Sequence, residues 1–125
     1  MAYMQRHSVK WAKSQSIPAS QHPTTADIAW AAGFMEGEGN FSTNSNRHPS
    51  QVARATQKNL EPLYRLQALF GGSVGKSRRD ARWPDKEYGE WRAYGARARG
   101  VMFTLFSFLS ARRREQIKVA LSGGY

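Results

Sequence analysis

The chain has no cysteine, which excludes a disulfide framework and any metal site built on thiolates. It also lacks a long apolar run. Its most hydrophobic stretch, residues 101–109 (VMFTLFSFL), is too short to cross a bilayer, so no membrane partner is expected. The basic beginning, MAYMQRHSVKWAKSQS, is followed by no hydrophobic segment and does not read as a secretory signal, so an intracellular protein is expected. Histidine is sparse as well, and His7, His22 and His48 show no ligand spacing. Acid is the last scarcity: 9 Asp+Glu stand against 19 Lys+Arg, leaving a net charge of +10.

That excess is clustered in residues 47–58, 76–99 and 112–118, with aromatic residues between the bases. Such a distribution fits a polyanion partner, and nucleic acid is the commonest. Arginines outnumber lysines 13 to 6, and the guanidinium fork suits phosphates and guanine edges, although GC-rich coding would give the same bias. At 125 residues the chain fits one domain, large enough to bury roughly two-thirds of its unfolded surface without staples.

Residues 1–24 hold Pro18, Pro23 and many polar residues, and read as a basic N-terminal arm with at most a helical turn near residues 9–14. Residues 25–125 read as the single folded domain. Thr24 or Thr25 caps a first helix over residues 26–36, with Asp27 in its first turn and Gly37 and Gly39 ending it. Strands follow at 40–46 and 50–57. A helix over 60–70, capped by Asn59, carries Leu60, Leu63, Leu66 and Phe70 on one face. Further strands are read at 73–79 and 88–94, then helices at 97–109 and 111–121, the last capped by Ser110. This order predicts an α+β fold, αββαββα(α). Two hairpins form one antiparallel four-stranded sheet, helices back one face, and the other serves as a DNA-binding surface.

The most informative segment is residues 28–41, IAWAAGFMEGEGNF, in which an apolar, small-residue helix runs into two glutamates set among glycines. A polyanion-binding surface gains nothing from carboxylates unless they hold a metal there. Ala29, Gly33 and Gly37 are spaced by four, with Ala32 adjacent, so that a second helix backbone could approach closely. The same residues could pack against the chain's own sheet. If two copies of the helix cross, Glu38 of each falls beside the two-fold axis, where the pair repels unless divalent cations lie between them.

AAGFMEGEG at residues 31–39 resembles the motif of the LAGLIDADG homing endonucleases, in the variant ending GEGxF. The order of elements agrees over residues 26–121. Arg113-Arg114-Glu115-Gln116 resembles the family's C-terminal Lys-x-x-Gln signature with Arg in the Lys position, and Ala55-Thr56-Gln57-Lys58 resembles the end of its second strand. The resemblance implies that Glu38, aligned with the essential second acid of the motif, is the catalytic metal ligand, and that the Gly37 carbonyl joins the metal shell. Glu here replaces the more frequent Asp. Glu36 matches the first acid, which is structural in the family. It implies further that Gln57 positions the water network and Arg113 stands near the scissile phosphate. Arginine does not shed its proton, so only electrostatic stabilisation would transfer to Arg113.

Strand alternation places Ser42, Asn44 and Asn46 on one face, where Asn amides could read adenine edges, with Phe41 and Thr43 on the other. Lys76 and Arg78 repeat the alternation and align with family positions that reach DNA, and Arg54 and Arg92 are added on the neighbouring strands. One motif copy implies a symmetric homodimer with Ala29, Ala32, Gly33 and Glu36 at the interface. The implied activity is magnesium- or manganese-dependent cleavage of a long, roughly palindromic double-stranded DNA, in a bacterial, phage or organellar setting. The alternative is a non-cleaving nucleic-acid-binding protein on the same scaffold, an RNA maturase or regulator. A fragment of an intein or of a two-motif monomer is a third reading, against which stands the lack of splice-junction residues.

Overall fold

A computed structural model describes residues 15–45, 47–77 and 88–123. The first helix, α1 (Thr25–Glu38), opens on a capping box. The Asp27 backbone N–H donates to Thr24 Oγ1 at 3.1 Å, and the Thr24 N–H donates to Asp27 Oδ2 at 2.9 Å. The helix passes through Gly37 and ends at Glu38 rather than at the expected Glu36, and is capped at Gly39. A Cβ at Gly39 would lie 2.7 Å from the Met35 carbonyl oxygen and 2.9 Å from its Cα, so the chain can fold back there only on glycine.

Strand β1 (Gly39–Thr43) leaves directly from that cap and pairs antiparallel with β2 (Gln51–Gln57). Asn44 closes the hairpin: its Oδ1 accepts the Ser50 N–H at 3.0 Å. Helix α2 (Glu61–Phe70) has Pro62 in its first turn and buries Leu63, Leu66 and Leu69. Its N-cap position is Leu60, which caps nothing with its side chain. Asn59 Oδ1 instead takes the Glu61 N–H at 3.1 Å, in a turn preceding the helix. Strands β3 (Ser73–Lys76) and β4 (Gly89–Tyr94) complete a four-stranded sheet of order β1-β2-β4-β3, antiparallel throughout. Helix α3 (Gly95–Leu105) starts at once after β4 and gives way to a 3₁₀ turn (Phe106–Phe108). The expected single helix over 97–109 is thus shifted forward and broken, with no side-chain cap at Tyr94 to mark its start. Helix α4 (Ala111–Leu121) has the expected bounds and the expected Ser110 cap, which accepts the Arg113 N–H.

The helices cover one face of the sheet, and between the layers lie Ala31, Ala32 and Met35 of α1, Phe41, Ala53, Ala55, Trp91 and Ala93 of the sheet, and Met102, Leu105 and Ile117 of α3 and α4. Thr43 and Gln51, partners in the β1–β2 ladder, both donate to the Ala120 carbonyl of α4, at 3.0 and 3.2 Å. Trp91 is fully buried and its indole N–H donates to the Gly71 carbonyl at 2.8 Å. That answers its role with packing.

Residues 15–24, read as part of an arm, run as a strap along α2 and β3. Ile17 exchanges backbone hydrogen bonds with Gly72 at 2.9 and 2.8 Å, and Ser20 and Gln21 both donate to the Ala68 carbonyl at 3.0 Å. Gly71 and Gly72 hold φ of +75° and +101°, and a Cβ on either would meet backbone of the strap or of Arg92 at 2.7 and 2.4 Å. The helical turn expected near residues 9–14, Asn46 and Arg78 lie outside the described residues.

Candidate nucleic-acid interface

The uncovered face of the sheet is defined by its register. Asn40, Arg54, Arg92 and Ser73 are consecutive cross-strand partners, and so form one row. Ser42, Val52 and Tyr94 form the next row toward the β1–β2 hairpin, and Thr56, Glu90 and Gly75 the row on the other side. Since Phe41, Ala53 and Ala93 occupy the alternate row in the core, these three rows face away from the helices.

At the end of α1 this face runs into an open groove of about 570 Å³. Gly37, Glu38, Asn40, Arg54, Thr56, Glu90, Arg112, Arg113 and Gln116 line it. Glu38, the last residue of α1, is exposed, and its carboxylate has no hydrogen bond or ion pair among the described residues. Beside it the final carbonyls of α1 carry the negative end of the helix dipole. Glu38 and the neighbouring Gly37 carbonyl are hard oxygen donors of the type magnesium takes, and that arrangement fits a divalent cation. Among the described residues no three potential ligands of His, Cys, Asp or Glu type come together.

Arg113 is buried, 6 % exposed, and spans the groove floor. Its Nε–H donates to the Glu36 carbonyl at 3.1 Å and its Nη1 to Gln116 Oε1 at 2.9 Å. Burial, with the charge of Arg112 behind it, lowers its pKa, and the nearby Glu36 opposes the fall. Glu36 ties the end of α1 to Ser110 within the chain. Its carboxylate accepts the Ser110 N–H at 2.8 Å and hydroxyl at 2.7 Å, which holds its pKa below the ordinary glutamate range despite partial burial, with Arg112 and Arg113 adding to the effect.

Several expected site residues stand elsewhere. Gln57 and Lys76 share a row with Gly89 on the helix-side pleat of Ala55, Trp91 and Val74, and neither lines the groove. Gln57 Oε1 accepts the Lys58 N–H at 2.9 Å instead. Asn44 is spent on closing the hairpin, where its amide also reaches Ser50 Oγ at 3.4 Å. Ala32, expected at a helix seam, is 3 % exposed in the core, whereas Ala29, Gly33 and Gly37 form an open stripe. A Cβ at Gly33 or Gly37 would meet nothing within 4 Å, so the fold of the single chain gives no reason for glycine there. On the flank of α1, Trp30 stacks on Phe34 with centroids 5.5 Å apart, and the Arg65 guanidinium lies 3.9 Å over the Trp30 ring.

The groove also holds residues that sequence reading passed over. Glu90, 4 % exposed, accepts the Arg92 Nε–H and the Thr56 hydroxyl at 3.2 Å. Burial alone would lower the Arg92 pKa, but the Glu90 hydrogen bond and charge outweigh it and raise it, with Tyr94 contributing. The signal available was the alternation of Glu90, Arg92 and Tyr94 along β4. Arg54 Nε is buried without a partner, directly across the ladder from Arg92.

No family model and no curated protein matches the sequence. Solved structures do. The homing endonuclease I-CvuI in complex with its target, in the presence of calcium, aligns at a TM-score of 0.59 and 21% identity, covering 79% of this chain and 68% of that one. The archaeal intron-encoded homing endonuclease I-Vdi141I complexed with DNA aligns at 0.58 and 20% identity, covering 77% and 67%. The group I intron-encoded homing endonuclease I-CeuI complexed with DNA aligns at 0.55 and 15% identity, covering 79% of this chain and just over half, 54%, of that one. The α+β fold derived from the residues is the fold of the LAGLIDADG homing endonucleases.

Proposed function

We propose that the protein is a site-specific, divalent-metal-dependent DNA endonuclease that acts as a homodimer on a long, roughly palindromic target. The observation that carries this reading is Glu38: a carboxylate with no partner among the described residues, at a helix C-terminus, in a groove whose lining includes Arg54, Arg112 and Arg113. Only a cation makes an exposed acid useful on a surface that binds phosphates. The three solved structures named above are homing endonucleases bound to DNA, two of them intron-encoded, and they support the same assignment.

In this reading the exposed rows of the sheet lie in the major groove of one half-site. Arg54, Arg92 and Ser42 meet bases or phosphates there, and Arg78 and Asn46, outside the described residues, stay as candidates from the sequence alone. Ala29, Gly33 and Gly37 meet the same stripe of a second protomer, which brings two Glu38 side chains together. Glu38 and the Gly37 carbonyl hold magnesium, which supplies Lewis acidity and lowers the pKa of a bound water. Arg113 contributes positive charge at the scissile phosphate and stays protonated throughout, while Arg112 lies at the rim.

The test is cleavage of a randomised duplex pool with magnesium, comparing the wild type with Glu38→Gln. The wild type should cut both strands at selected sites. Glu38→Gln should bind the selected duplex yet cut it at least about 100-fold more slowly. Equal cleavage by both would remove Glu38 from its role, and a chain that remains monomeric on its target in sedimentation would remove the dimer.

A further inference from the structure

Glu90 is anomalous in its setting. It is a carboxylate on the exposed face of a sheet in a protein of net charge +10, and that face holds Arg54 and Arg92 directly opposite each other. Facing like charges across a ladder destabilises a sheet, and an acid on a phosphate-binding surface weakens binding. Glu90 eases the first effect, and its cost to DNA binding is offset only if it also acts on a neighbour.

The neighbour is Arg92. Residues 90, 92 and 94 of β4 project on one face, and Glu90 takes the Arg92 Nε–H. Glu90 is itself fixed, since its second oxygen accepts the hydroxyl of Thr56, its cross-strand partner, at 3.2 Å. The Arg92 side chain remains 25% exposed while Glu90 is 4% exposed, so the cation is presented and the acid lies beneath it. An arginine held this way has lost its rotamer freedom before any ligand arrives, and a planar fork so ordered suits bidentate recognition. Free arginines on the same surface would settle on phosphates, which position without specifying.

We infer that Glu90 is a specificity-determining positioning residue: it locks the Arg92 guanidinium on the sheet so that Arg92 reads one guanine in each half-site. This rests on the DNA-binding reading above. Thr56 orients Glu90, and Arg54 across the ladder supplies phosphate affinity at the same level of the groove.

The experiment is selection of bound duplexes from a randomised pool by wild type, Glu90→Gln and Arg92→Lys, with each protein's melting followed by circular dichroism. Glu90→Gln removes a negative charge, so its affinity for unrelated duplex should rise, while its preference for guanine at one base pair per half-site should fall about tenfold or more. A residue that served only folding stability would change the melt and leave the base profile intact. Arg92→Lys keeps the charge but lacks the fork, and should lose preference at the same base pair. It decides the matter if Glu90→Gln does not fold. Selective binding by the wild type with an unchanged profile in the variants overturns this inference alone. A wild type with no preference at any base pair overturns it together with the endonuclease reading.

Discussion

The Glu36 carboxylate and Ser110 are 74 residues apart in sequence and share two hydrogen bonds, 2.8 Å to the backbone N–H and 2.7 Å to the hydroxyl. The contact ties the last turn of α1 to the first turn of α4, and so fixes where Glu38 stands relative to Arg113. Glu36→Gln should lower the melting temperature and slow cleavage with little effect on DNA binding. Because the folded pKa of Glu36 lies below the ordinary glutamate value, its contribution is present above that value and is lost as pH falls through the folded pKa. Thermal melts across the acid range should therefore show the wild-type advantage over Glu36→Gln shrinking below the ordinary glutamate range. A constant difference would count against the linkage.

Gly33 and Gly37 lie in a helix with open space beyond them. Gly33→Ala should stabilise the isolated chain by about 0.5–1 kcal/mol, the helix cost of glycine relative to alanine. Gly33→Leu, too large for close helix contact, should raise the dimer dissociation constant by at least about tenfold. Analytical ultracentrifugation alongside denaturant unfolding separates the two effects. A dimer indifferent to Leu at residue 33 would place the interface elsewhere.

Gly39 behaves oppositely. Its missing Cβ is required by Met35, and Gly39→Ala should destabilise the fold by roughly 1–3 kcal/mol through overpacking. Urea unfolding measures this directly, and a neutral result would mean that the α1–β1 junction yields.

Arg113 joins α4 to the Glu36 carbonyl and to Gln116. Arg113→Lys retains a charge but cannot span both acceptors. It should cost about 1.5–3 kcal/mol of stability, the range for hydrogen bonds to a charged group, and reduce the cleavage rate further than DNA affinity. Loss of affinity with an unchanged rate would reassign Arg113 to binding alone.

What could be read from the residues was what local chemistry determines. The Ser110 cap and the bounds of α4, the Thr24 cap of α1 and the leucine face of α2 all follow from short-range signals. Helix α3 did not, because β4 feeds it without a capping side chain and its end unwinds into a 3₁₀ turn. The stripe of small residues on α1 was legible, but small residues do not announce their face, and Ala32 turned inward. The pleat of Gln57 and Lys76 could not be read for a related reason. Alternation gives two faces without saying which is the core, and only Val74 opposite Trp91 decides it for β3. Glu90 escaped notice because its partner Thr56 is 34 residues distant and its charge has the wrong sign for the expected ligand.

The strap formed by residues 15–24 has a practical consequence for anyone trimming the chain. Removing everything ahead of α1 would strip Gly72 of the backbone partners it finds in Ile17 and take away the Ile17 and Ala19 backbone for which left-handed Gly71 makes room. The buried indole of Trp91, anchored on the Gly71 carbonyl, would register the damage as a change in its fluorescence. The smallest piece that folds should begin ahead of Ile17.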